Sequence, residues 1–161
     1  MRAGIISVGD ELLGGRCLDT NSHWLAGALA RPGVELIETR TIGDDHARLV
    51  EAIETLATGV DLLILTGGLG PTPDDLTREA LAAVLGETLE IDGEALTHIT
   101  GYFDRDRLPM AESQRRLAER PASAESFRNQ AGTAPTLKAG VDRDGPVTVW
   151  LLPGPPHELK D

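Results

Sequence analysis

An α/β fold around a mostly parallel sheet is what this sequence predicts, and three observations carry the prediction. Leu62-Leu-Ile-Leu65 is a short, wholly aliphatic run, which reads as a strand buried on both faces. Runs of this kind alternate with stretches whose apolar residues recur every three or four positions, as in helices laid on a sheet. The strands end in turns of glycine and aspartate, where open α/β sheets build their binding sites.

Taken in order, Ala3 to Val8 is the first strand and runs into Gly9-Asp10-Glu11. Leu12 to Asp19 is a glycine-containing connection. Asp19 or Thr20 caps a helix over Asn21 to Ala30, expected to turn Trp24, Leu25, Ala28 and Leu29 to the sheet; Arg31-Pro-Gly33 stops it. Val34 to Thr41 is a second strand. Asp44-Asp45 then open a helix to about Ala57 with Leu49, Val50, Ile53 and Leu56 on one face. One aspartate suffices as the cap; the second is surplus, and compensation of the helix dipole can account for it.

The central strand leads into Thr66-Gly-Gly-Leu-Gly-Pro-Thr72. Thr72 is a candidate N-cap, Pro73 suits the first helical position, and Asp75 completes a capping box, so a helix is expected from there to Leu85, closed by Gly86. Thr88 to Ile91 reads as a short edge strand, and Asp92 caps a helix from Gly93 to about Asp104. Arg105 to Glu125 is polar, with a short helix near Ser113 to Glu119; its Arg115, Arg116 and Arg120 are expected to form a solvated face, the alternative being contact with a ligand phosphate. Asn129 to Pro135 is a second loop of small residues. Thr136 to Ala139 and Val147 to Leu152 form a hairpin about Asp142-Arg-Asp-Gly145. Pro153-Gly-Pro-Pro156 is a rigid turn into a final helix that the sequence leaves one turn in. Residues 1–161 are therefore expected to be a single domain truncated at its C-terminus.

Composition narrows the function. Forty per cent hydrophobic residues and five aromatics among 161 predict an aliphatic core without stacking platforms for bases. A net charge of −11 argues against long nucleic acids and anionic membranes. It leaves room for a small phosphate ester held by backbone amides and a divalent cation such as Mg²⁺. The single Cys17 excludes an internal disulfide, and without a signal peptide or long apolar run the chain is expected to be cytoplasmic. His23, His46, His98 and His157 lack zinc-site spacing. No glycine-flanked serine elbow occurs.

The chemistry is expected at the glycine turn after the central strand. Glycines let a backbone approach a ligand, and a following helix start offers free N–H groups to an anion. The turn is neither a P-loop nor a dinucleotide fingerprint. The bland alternative is a turn that binds nothing, with Asp75 as a cap partner only and Asp10 satisfying nearby amides.

The segments Ile5-Ile-Ser-Val-Gly-Asp-Glu-Leu12, Thr20-Asn21, Thr66-Gly-Gly-Leu-Gly-Pro-Thr72 with Asp75-Leu-Thr77, Gly132-Thr-Ala-Pro135 and Leu152-Pro-Gly-Pro-Pro156 occur in that order. Together they resemble the molybdopterin-binding-like domain of the competence/damage-inducible CinA family and, more distantly, MoaB/Mog proteins. The resemblance implies a three-layer α/β/α sandwich, homo-oligomeric assembly, and a phosphorylated small-molecule ligand. In Mog-type proteins that ligand is a phosphorylated pterin, so molybdopterin is one candidate. In the CinA branch the domain is associated with metal-dependent cleavage of ADP-ribose pyrophosphate, and Leu69, where Mog-type loops usually carry Thr, sits nearer that branch. Gln130 and Thr136 also depart from the Mog-type pattern.

The candidate residues follow. Gly9, Asp10, Thr66, Gly67, Gly68, Gly70, Thr72, Gly132, Thr133, Pro153 and Gly154 are expected to bind the ligand. Asp44 and Asp75 match the catalytic aspartates, with Asp45 or Asp74 orienting a water. Asp10, Asp44 and Asp75 are expected to hold Mg²⁺.

Overall fold

The computed structural model describes residues 1–105 and 107–160; Asp106 and Asp161 lie outside that description. Its elements are β1 (Arg2–Val8), α1 (Asp10–Leu13), α2 (Thr20–Ala30), β2 (Glu35–Ile42), α3 (His46–Ala57), β3 (Leu62–Thr66), α4 (Thr77–Leu85), β4 (Leu89–Ile91), α5 (Gly93–Arg105), a 3-10 helix (Glu112–Ala118), β5 (Glu119–Pro121), β6 (Glu125–Phe127), β7 (Thr136–Asp142), β8 (Pro146–Leu152) and α6 (Pro156–Leu159). Six strands form one sheet in the order β2-β1-β3-β8-β7-β6. The pairings β2–β1, β1–β3 and β3–β8 are parallel, and β8–β7 and β7–β6 antiparallel.

Alternation along the central strands builds two cores, because successive side chains point to opposite faces. Ile6, Leu63, Leu65, Val149 and Leu151 join Leu49, Ile53 and Leu56 of α3, Leu81 of α4 and Ile99 of α5. Ile5 and Ile64 instead meet Leu25 of α2, with Leu29, Leu36 and Leu159 packed alongside. Helices therefore cover both faces of a mostly parallel sheet. Strands β1 and β3 end side by side, Ser7 opposite Thr66 in register, so the turns after them share one edge.

Three expectations are corrected. Trp24 is 39% exposed; with Leu25 and Leu29 centred on the sheet, it falls on the rim of α2. Helix α4 starts at Thr77, with Leu76 as its cap residue, because Thr72 and Asp75 close a separate turn described below. The arginines of the polar segment are not simply solvated: Arg116 pairs with Glu79 at 2.5 Å and Arg120 with Asp92 at 2.9 Å, all four half-buried. The 3-10 helix takes the place of the expected short helix there. The short elements α1, β5 and β6 have no counterpart among the sequence-based expectations.

Candidate functional site

A cavity of about 730 Å³ opens at the carboxyl edge of the parallel strands. The turn after β1, the start of α2, Asp44, the glycine loop after β3 and Gly154 line it. Of the expected ligand residues, Gly9, Thr66, Gly67, Gly68, Gly70, Thr72 and Gly154 are in its wall, as are Asp44, Asp74 and Asp75.

The glycine loop is held from behind by two residues of α4. The Thr77 hydroxyl donates to the Gly67 carbonyl at 2.8 Å and the Thr77 amide to the Gly68 carbonyl at 3.2 Å. Arg78 Nη1 donates to the Leu69 carbonyl at 2.6 Å and Nη2 to the Gly70 carbonyl at 2.7 Å. In a trans peptide the N–H lies opposite the C=O. With the carbonyls of Gly67 and Gly68 drawn back to α4, the amides of Gly68 and Leu69 are turned the other way; neither has an acceptor among the described residues. Such a pair of adjacent free amides suits an anion. Gly67 and Gly68 have φ of 99° and 66°, which disfavours any side chain. A Cβ at Gly67 would strike the Val8 carbonyl, and one at Gly68 the Thr77 hydroxyl.

Neither Thr77 nor Arg78 is exposed beyond 1%. Burial lowers the Arg78 guanidinium below its usual value; Glu79 acts against this and Arg116 adds to it. The expected N-terminal amides of a helix begun at Thr72 are therefore replaced: the amide of Thr77 is spent on the loop, and the loop itself presents the donors.

Asp75 closes that loop. Its Oδ1 accepts from the Gly70 amide at 2.8 Å, and its Oδ2 from the Thr72 amide at 2.9 Å and hydroxyl at 2.5 Å. Arg116 Nη1 donates to the Thr72 carbonyl at 2.5 Å. Both Asp75 oxygens are thus engaged by protein donors.

Acids form the opposite bank. The Asp10 amide donates to Asp44 Oδ2 and the Asp44 amide to Asp10 Oδ1, each at 3.2 Å, so the two turns grip each other. Burial raises the Asp44 carboxyl above the usual aspartate range; the Asp10 amide opposes this, and the charges of Asp10, Glu11 and Asp74 reinforce it. Asp45 is the N-cap of α3, accepting from the Arg48 amide at 3.0 Å. It is not among the residues lining the cavity, so Asp44 is the member of the pair left for the site.

The floor comes from α2 and the turn after β8. Asn21 Nδ2 donates to Thr66 Oγ1 at 2.9 Å and to the Gly154 carbonyl at 2.8 Å, and the Thr66 hydroxyl donates to the Pro153 carbonyl at 2.9 Å. Pro153 thereby fixes Thr66 from outside the cavity wall. Asp19 caps α2 through the Ser22 amide at 2.9 Å. Burial acts to raise its pKa, but the hydrogen bonds from Ser22, Ser7 and the Asn21 amide outweigh it and leave it lowered.

The second small-residue loop is elsewhere. Gly132 packs so closely on the Glu158 carboxylate that a Cβ would collide with it, and Asn129 Nδ2 binds Glu158 Oε2 at 2.8 Å. Burial raises the Glu158 pKa, while His157 and the Asn129 hydrogen bond lower it. Thr133 lines a different cavity of about 450 Å³, with His98 and Arg128. The structure therefore does not bring Gly132 or Thr133 to the glycine loop: Glu158 seals that face of their turn.

The expected Mg²⁺ triad of Asp10, Asp44 and Asp75 is likewise not gathered. Among the described residues no group of three or more His, Cys, Asp or Glu side chains could hold a metal ion, and Asp75 is consumed by its loop. Two residues of the site escape a reading of the sequence: Asn21 as a floor residue and Arg78 as the loop's anchor. Asn21 was within reach, because Thr20-Asn21 belongs to the motif set. No local signal ties Arg78 to carbonyls eight and nine residues earlier.

The family model "Probable molybdopterin binding domain" matches residues 4–161. A competence-damage inducible protein of Caldicellulosiruptor bescii is 44% identical over 160 residues, 99% of this chain and 38% of that protein. Another, of Halalkalibacterium halodurans, is 42% identical over 163 residues, 99% of this chain and 37% of that one. The chain thus spans under two fifths of the length of these curated relatives. Among solved structures, the protein CinA of unknown function from Thermoplasma acidophilum superposes with a TM-score of 0.91 at 32% identity, covering 99% of this chain and 93% of that one. The tungsten cofactor synthesizing protein MoaB from Pyrococcus furiosus gives 0.65 at 17% identity, covering 99% and 85%, a likeness of fold. No helix among the described residues is long and apolar enough to cross a membrane. Matched by that model over nearly its whole length, and by CinA in both sequence and structure, this chain belongs to the molybdopterin-binding domain family, in its CinA branch.

Proposed function

We propose that the cavity binds a pyrophosphate-linked nucleotide of the ADP-ribose class and hydrolyses it with the help of a divalent cation. The observation that carries this reading is the pair of amides at Gly68 and Leu69, without acceptors among the described residues, in a loop that lines a cavity together with Asp44 and Asp74. The amides and Thr66-to-Thr72 backbone bind and orient the diphosphate, which is the main task in reactions at phosphorus. The nucleoside lies toward Asn21 and Gly154.

Mg²⁺ commonly takes one or two carboxylates and completes its shell with substrate phosphate and water. Asp44, in the cavity wall, is the residue that would hold it; Asp10, outside that wall, braces Asp44 through their mutual bonds. When bound, such an ion offsets charge on the pyrophosphate and acidifies a water. Asp74, in the cavity wall where Asp45 is not, would orient an attacking water.

The test is incubation with ADP-ribose and Mg²⁺, following AMP. Wild type should release AMP, and Asp44→Asn should be slower by about a hundredfold. A wild type inert with Mg²⁺, Mn²⁺ and Co²⁺ ends the hydrolase reading. A second reading, molybdopterin held in the same cavity without turnover, is favoured by the family match itself. Calorimetric titration separates the two: molybdopterin binding beside silence for ADP-ribose selects the second.

A further inference from the structure

The glycine loop does not fix its own orientation. With two glycines in succession, the peptides between Gly67 and Leu69 can invert at little steric cost. Inversion would replace N–H donors by carbonyl oxygens facing the cavity, which would repel an anion. Something outside the loop must hold it, and the hold comes from two adjacent residues: Thr77 and Arg78 take the carbonyls of Gly67, Gly68, Leu69 and Gly70 in unbroken succession.

Resting on the anion-site reading above, we propose that Thr77 is the positioning residue of the glycine loop: by holding the Gly67 and Gly68 carbonyls it keeps the Gly68 and Leu69 amides turned toward a diphosphate, while Arg78 braces the two peptides that follow by their Leu69 and Gly70 carbonyls. The planar fork of Arg78 spans two neighbouring carbonyls in a fixed geometry that the compact ammonium of a lysine does not supply. It is fully buried and forms no salt bridge among the described residues, since the neighbouring Glu79 is taken by Arg116. Its Nε is buried without a hydrogen-bond partner among the described residues. The guanidinium thus leaves positive charge directly behind the loop, in a chain whose net charge is −11.

The test titrates isotopically labelled protein with inorganic pyrophosphate while following the amide signals of Gly68 and Leu69. In wild type both should move on titration. Arg78→Lys and Thr77→Val, checked as folded by their remaining amide spectrum, should bind pyrophosphate about tenfold more weakly or worse, the equivalent of one hydrogen bond to a charged group. Their Gly68 and Leu69 signals should already be displaced without ligand, and Thr77→Ser, which keeps the hydroxyl, should restore both properties. A folded Thr77→Val protein with wild-type affinity and wild-type loop signals overturns the proposal; if that variant does not fold, a folded Arg78→Lys with those same wild-type properties overturns it instead. A wild type that ignores pyrophosphate removes the anion site; the positioning claim is then decided by the ligand-free loop signals of the variants.

Discussion

Two loops of small residues follow strands or precede them in this chain, and they have opposite fates. Thr66 to Thr72 lines a large cavity, with four of its carbonyls tied back to α4. Asn129 to Pro135 is closed over by Glu158, which contacts Gly132 and binds Asn129. In sequence they look alike: glycines, threonines and prolines with accessible main chain. The difference is made by what packs against each loop from a distant part of the chain. Glycine content marks where a backbone comes close to something, and here that something is a neighbouring side chain or carbonyl in both loops.

Alanine at the two glycines should break the likeness most sharply. Gly68→Ala places a side chain at positive φ and against the Thr77 hydroxyl, so it should cost roughly 2–4 kcal/mol in chemical denaturation and abolish ADP-ribose binding by calorimetry. Gly132→Ala meets the end of a flexible side chain, which can swing aside; it should cost about 1–2 kcal/mol and leave ADP-ribose affinity unchanged. Loss of affinity in the Gly132 variant would join the two loops into one site after all.

Asp75 comes next. Asp75→Ala frees the Gly70 and Thr72 amides and the Thr72 hydroxyl, and should cost about 1.5–3 kcal/mol with weaker ligand binding. Asp75→Asn, which keeps one acceptor oxygen, should recover part of both. If Asp75→Asn keeps full stability yet loses all turnover, Asp75 has a chemical role that its hydrogen bonds do not suggest.

Asp44 and Asp45 sharpen the same contrast on a smaller scale. Asp45→Ala removes a helix cap and should lower stability by about 1 kcal/mol without touching ligand binding. Asp44→Asn should do the reverse. Its folded-state pKa is raised by burial and by Asp10, Glu11 and Asp74, so the proton is bound more tightly in the native state. That contribution to stability is complete below the unfolded pKa and is lost as pH rises through the folded one. Asparagine removes the penalty of the ionised form: the unfolding midpoint of Asp44→Asn should exceed wild type at pH 7 by about 1–2 °C, small because the group is only partly buried, and match it near pH 3. A lower midpoint at pH 7 would contradict the assigned cause.

Most of the fold was legible because its signals are local. The aliphatic β3, a cap at Asp19-Thr20 and another at Asp44-Asp45, the cap Asp92, and the Asp142-to-Gly145 hairpin all appear where their residues predict. The start of α4 was not legible. The Asp75 carboxylate does reach back to the Thr72 amide, which is half of a capping box, but a turn that precedes a helix makes the same bond as the helix itself. Asp44 and Asp45 could not be told apart from sequence, since either can cap; the structure gives the cap to Asp45 and the cavity to Asp44. Arg78 was invisible because its meaning lies in carbonyls eight and nine residues upstream, and Gly132 was misplaced because Glu158, 26 positions later, covers it.

If the amides of Gly68 and Leu69 receive the ligand's phosphate oxygens, a crystal structure grown with ADP-ribose shows it most directly. The expected result is a diphosphate within hydrogen-bonding distance of both amides, with the nucleoside toward Asn21. Diphosphate density beside His98 and Arg128 in the other cavity, with the glycine loop bare, would contradict it.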